Sequence, residues 1–185
     1  MNSQTKGYGA IATTGLVASF LFIVLWIVAI ANNPDWGFGS DLLTVMFGAS
    51  DDFVGNLFRY GSILCAILLA AYGFVVMAKS KEAGAYAGIL LTLSCIVLIV
   101  AAIFGKEVKA VDILFVVFVF FTLVAGGVAA MKAGNRPQAV VAGIGLAILL
   151  MVYCVKGFEM CESVTLFFML AWVVAGAVGY LLAKN

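Results

Sequence analysis

In this chain of 185 residues the side chains best suited to binding or catalysis are Arg59, Asp41, Asp112 and Glu162. They stand near the ends of long apolar runs, where the sequence also places Asp51, Asp52 and Glu159. A guanidinium among carboxylates could hold a cation, an amine or a lipid headgroup, or could move protons. An ionisable residue such as Arg59, which lies inside an apolar run between Phe58 and Tyr60, is a candidate site wherever it is held in a membrane. It either snorkels to the interface or pairs with Asp112 or Glu162 within the bundle. A plainer reading competes with this one. Acids at helix starts and lysines at helix ends (Lys79, Lys81, Lys132, Lys184) are what the helix dipole stabilises, by about 0.3–1 kcal/mol each. Ser50 and Ser163 would then cap helices beside Asp51 and Glu162.

Other chemistry is closed off. The chain has no histidine, which excludes bis-histidine haem, histidine-ligated zinc and Ser-His-Asp or Cys-His pairs within it. We expect no metal and no cofactor. A net charge of +1 makes no case for nucleic acid. Of four cysteines, Cys65 and Cys95 fall near the middle of apolar runs and read as small core residues. Cys154 and Cys161 flank the segment Val155-Lys156-Gly157-Phe158-Glu159-Met160 and are candidates for a disulfide across it.

Composition indicates the secondary structure that carries these residues. Hydrophobic residues make up 65% of the chain and charged residues 10%, with a mean hydropathy of +1.21. A spanning helix takes about 20 apolar residues. The runs predict six spans: Ala10 to Ala31, Asp52 to Ala78, Gly84 to Phe104, Ala110 to Met131, Pro137 to Val155 and Ser163 to Ala183. Each is twice the length of a barrel strand, so the fold class is an all-α membrane protein, a single domain of six transmembrane helices in a compact bundle. The first run has no small-residue cleavage site and ends at Asn32-Asn33-Pro34, as a retained helix would.

Basic residues set the expected orientation. Lys6, Lys79, Lys81, Lys132, Arg136 and Lys184 fall on one side with Glu82 as its acid. The other side holds Arg59, Lys106, Lys109 and Lys156 among the remaining acids. The positive-inside rule therefore puts both termini in the cytoplasm of a cell membrane. The long first loop is then extracytoplasmic, with a short helix over Leu42 to Phe47 capped by Ser40-Asp41. Small residues four apart, Ala171-Ala175-Gly179-Ala183 and Ala139-Gly143-Ala147, should face neighbouring helices, as should Gly84 to Gly88. Phe115, Phe118, Phe120 and Phe121 are too bulky and too spread around their helix for all of them to avoid lipid.

The stretches Asn33-Pro34-Asp35-Trp36, Ser40-Asp41-Leu42-Leu43-Thr44-Val45-Met46-Phe47-Gly48-Ala49 and Gly55-Asn56-Leu57-Phe58-Arg59-Tyr60-Gly61, with Glu162 and Trp172 around the last span, give the chain a family likeness. It resembles the prokaryotic membrane proteins catalogued as domain of unknown function 998. The resemblance implies a six-helix architecture and carries no activity. Relatives of that kind open the fourth helix with a histidine, where this chain reads Lys109-Ala110-Val111-Asp112. The function expected is a non-enzymatic binding or accessory bundle for lipid, a small amphiphile or a membrane partner, including a second copy of the chain. The alternative is a small transporter or a lipid-directed enzyme acting at Arg59, Asp41, Asp112 and Glu162.

Overall fold

A computed structural model describes residues 3–33, 53–104, 109–157 and 161–182. Those residues form six helices: α1 (Ser3–Asn32), α2 (Phe53–Lys79), α3 (Ala83–Phe104), α4 (Lys109–Lys132), α5 (Arg136–Lys156) and α6 (Cys161–Leu182). At 1.5 Å per residue the shortest, α5 with 21 residues, is about 31 Å long, the thickness of a bilayer core. All six are long and apolar enough to cross a membrane. This is a multi-pass integral membrane protein. The segment expected to hold the short loop helix, Asp41 included, lies outside the described residues, as do Ser50, Asp51 and Asp52.

Local chemistry sets the ends. Asn32 and Asn33 at the close of α1 turn their amides back one turn onto Val28 O (2.8 Å) and Ala29 O (2.9 Å), donating to main-chain carbonyls at the helix end. Asn135 caps α5 by accepting from Gln138 N, with Pro137 in the first turn where its missing N–H costs nothing. Gly157 ends the same helix at φ 82°, a conformation glycine adopts without strain. Helix α1 begins at Ser3, ahead of its candidate span Ala12–Asn32, because backbone helix can continue past the apolar run that marks the span. One expectation needs correction. Helix α6 begins at Cys161, so Ser163 is its third residue and not its cap.

Each helix packs against its chain neighbour, α2 to α6 through short connections, and α6 also packs on α1 and α4. That arrangement makes α6 the most buried span and α5 the least. Within lipid no water-driven collapse holds helices together, so close backbone approach and shape matching must do it. The tightest approach joins α2 and α3. A Cβ added at Gly88 would lie 2.6 Å from Gly73 O and 2.8 Å from Met77 Cα. Elsewhere a glycine receives a ring: Gly126 of α4 lies against Trp172, Gly145 of α5 against Phe168 and Gly15 of α1 against Tyr72. Phe22 and Phe58 meet edge to face at 6.1 Å in the α1–α2 contact.

The small-residue ridges resolve unevenly. Gly84, Ala87 and Gly88 are buried as expected. On α5 the buried small residues are Ala142 and Gly145, while Gly143 and Ala147 face outward and nothing lies within 4 Å of a Cβ at Gly143. On α6 the buried line runs through Gly176 and Ala177, beside the half-buried Ala171, Ala175 and Gly179. Four-residue spacing identified a face but not whether a partner stood opposite it. Among the phenylalanines, Phe115 is buried and Phe121 is exposed to the surroundings, with Phe118 and Phe120 between. Cys65 and Cys95 are fully buried, as their positions implied.

Candidate functional site

Polar side chains collect at both ends of the bundle. At one end, α3 and α5 finish and α4 and α6 begin. Arg59 is half-buried there, and its Nε donates to Ala102 O at 2.6 Å while Nη2 donates to Ile103 O. Both carbonyls belong to the last turn of α3, the negative end of its dipole, so the guanidinium serves as a cap supplied by a neighbouring helix. Of the two roles expected for Arg59, neither anticipated main-chain carbonyls as its partners. Asp112 and Glu162 stand in the first turns of α4 and α6, helices that pack on each other, and each is only 1% exposed. The structure therefore brings Asp112 and Glu162 to one end of adjacent helices and turns Arg59 to α3. Asp41, the fourth residue of the expected site, is outside the described residues.

Cys154 and Cys161 are both free thiols. Cys154 is exposed on the outward side of α5, and Cys161 is buried with its Sγ 3.4 Å from Gly157 O. Among the described residues no group of three or more histidine, cysteine, aspartate or glutamate side chains could hold a metal ion.

The opposite end, where α2, α4 and α6 finish and α3 and α5 begin, holds a cavity of about 740 Å³. Its rim carries Ser80, Lys81, Glu82 and Lys132, from the α2–α3 turn and the end of α4. Val76, Ala87, Ala129 and Ala130 form apolar wall, and Tyr72, Gln138 and Trp172 lie deepest in the bundle, at 1%, 8% and 2% exposure. Helix packing explains why a space is left. Its walls are lined by glycines and alanines such as Gly84, Ala87, Gly126 and Ala130, side chains too short to fill the space.

Glu82 adopts φ 48°, unusual for a residue with a Cβ, which turns the chain tightly from α2 into α3. Its Oε2 meets Lys132 Nζ at 2.8 Å, tying that turn to α4 across the rim. The hydrogen bond from Lys132, and then its charge, hold the Glu82 carboxyl below the usual glutamate range. A lowered pKa means that the pair contributes above the ordinary glutamate value and is lost as pH falls through the lowered one. Both side chains are well exposed, so the contribution is small and salt-screened. Glu82→Gln is expected to leave the neutral-pH thermal midpoint almost unchanged and to remove a slight acid-side decline, read as midpoint against pH at low salt.

Sequence reasoning passed over this end. Tyr72 and Gln138 are polar groups inside or beside apolar spans, the signal that could have drawn attention to them, and Trp172 was noticed only through a family likeness. The chemistry available is recognition: donors and an amide deep inside, apolar walls, and charge at the mouth. The chain matches no protein-family model, no curated protein and no solved structure.

Proposed function

We propose that this integral membrane protein is a non-enzymatic binding bundle that holds a small amphiphile in the cavity lined by all five helices from α2 to α6. The observation that carries this reading is the cavity itself: about 740 Å³, within the range of small-molecule sites, with apolar walls and a few convergent polar groups. The positive-inside rule places its mouth, rimmed by Lys81 and Lys132, on the cytoplasmic side with both termini. Membrane lipid is then the nearest source of an occupant. A second reading, transport or lipid-directed chemistry at Arg59, Asp41, Asp112 and Glu162, draws support from the burial of Asp112 and Glu162 at the other end.

Filling the cavity tests the first reading. Native mass spectrometry of protein extracted gently from its own membrane should find one small amphiphile per chain. Ala129→Trp, on the cavity wall, should abolish that adduct, while Val140→Trp on the outward face of α5 should leave it in place. Retention of the same adduct by a folded Ala129→Trp protein would refute the assignment. Loss of the adduct on Asp112→Asn, with Ala129→Trp silent, would move the site to the opposite end.

A further inference from the structure

Resting on the reading that this cavity takes a small amphiphile, we infer that its deep end selects an uncharged head group bearing a carbonyl oxygen, as in a quinone or an amide. Three helices converge there. Tyr72 comes from α2, Gln138 from α5 and Trp172 from α6, and all three line the cavity while being more than nine-tenths buried. Tyr72 Oη and Trp172 Nε1 have no hydrogen-bond partner among the described residues. An indole N–H only donates, so what it lacks is an acceptor, and a phenol hydroxyl can be satisfied by the same kind of group. Buried donors left unpaired are costly, and two at one site call for an explanation.

The Gln138 amide lies across this floor. Its Nε2 reaches Trp172 O at 3.5 Å, the outer limit of a hydrogen bond. A Cβ on Gly176 would collide with Gln138 Nε2 and lie 3.1 Å from Tyr72 Oη, so amide and phenol converge over the bare face of that glycine. A Cβ on Gly126 would lie 2.9 Å from Trp172 Nε1, which keeps the indole in place on the other side. Gln138 Oε1 accepts from Asn135 Nδ2 at 3.2 Å, so the group already seated among the donors is a neutral amide whose oxygen is engaged by Asn135. A ligand carbonyl that displaces it can accept from Tyr72 and Trp172 where Gln138 does not. Charge is kept away from this depth: Lys132 and Glu82 are at the rim, 64% and 75% exposed, and the deep residues are all neutral. An ionised head would lose its hydration there without a counter-charge.

The test uses the full chain in lipid nanodiscs, with equilibrium dialysis against empty nanodiscs to subtract partitioning. The probes are 2-methyl-1,4-naphthoquinone, the carbonyl-free 2-methylnaphthalene, ionised 2-naphthoate and the neutral amide N-methyl-2-naphthamide. The quinone is expected to bind about tenfold more tightly than the hydrocarbon, and 2-naphthoate not above background. Tyr72→Phe should weaken quinone binding about three- to tenfold, one neutral hydrogen bond's worth, while leaving hydrocarbon binding and thermal stability unchanged. Trp172→Phe should weaken it similarly but also lower thermal stability, because the buried indole packs on Gly126. Should Trp172→Phe fail to fold, Tyr72→Phe carries the test alone. Amide binding equal to that of the quinone supports a carbonyl as the determinant, and a quinone preference supports a second carbonyl contact. Hydrocarbon binding as tight as the quinone, indifference to Tyr72→Phe, or preference for 2-naphthoate overturns the inference. Absence of probe binding together with an adduct that Ala129→Trp removes overturns the carbonyl selection but not the binding reading. Absence of both overturns the two together.

Discussion

Gly88→Val is expected to cost about 3 kcal/mol of stability, the largest effect of any single substitution considered for this protein. The reason is what stands opposite. A Cβ at Gly88 would meet Gly73 O at 2.6 Å and Met77 Cα at 2.8 Å, and also Met77 N. All are backbone atoms of α2, which cannot turn aside as the end of a side chain can, so the two helices must separate. In lipid that separation forfeits the close dispersion contacts that hold the pair, with no hydrophobic gain to offset them. Gly143→Val is the matched control: a Cβ there meets nothing within 4 Å, and valine restores some helix propensity. Equilibrium unfolding of both variants in detergent micelles checks the prediction. Equal effects of the two would mean that α2 and α3 do not cross at Gly73 and Gly88.

The second large effect belongs to Arg59. Arg59→Met is expected to destabilise by about 2–3 kcal/mol, the scale of charge-assisted hydrogen bonds lost from two carbonyls, reduced because the site is half-buried and headgroups can partly replace the donors. Arg59→Lys should recover part of the loss, since an ammonium still suits the C-terminus of α3 but cannot span both carbonyls. A double-mutant cycle with Asp112→Asn separates the cap from an ion pair. Additivity within about 0.5 kcal/mol is the outcome expected of a cap, and a coupling well above that would identify Asp112 as the partner of Arg59.

These two residues show how far the chain could be read before its helices were assembled. Arg59 stood out at once, as a charge beside Phe58 and Tyr60 in an apolar run, and its chemical need for acceptors was evident. Which acceptors it would meet was not. Ala102 O and Ile103 O are backbone atoms about forty residues away, and carbonyls leave no mark in a one-letter sequence. Gly88 likewise announced a small-residue face, as did Gly143, yet one meets backbone and the other meets nothing. Spacing along one helix carries no information about which helix lies opposite.

The cavity escaped notice for a related reason. Charge is expensive in a membrane and therefore conspicuous in a sequence, whereas uncharged polar groups are not. Tyr72, Gln138 and Trp172 carry no charge, come from three separate helices, and each taken alone reads as an ordinary interfacial or core residue. Only their convergence with the small wall residues Ala87, Ala129 and Ala130 makes a site.

Six long apolar runs are enough to specify a membrane protein of six helices, and their bounds fall close to the helix ends everywhere but at the start of α1. Apolar run length, asparagine and glycine caps and proline placement are local quantities, and the bilayer forces every backbone group in a span to pair within its own helix. Tertiary structure decided that α6 lies innermost, that Arg59 closes α3, and that a cavity opens beside Lys81 and Lys132. Those outcomes depend on which apolar faces meet. In lipid every apolar face is equally content with the solvent, so the choice falls to shape between residues far apart in the chain.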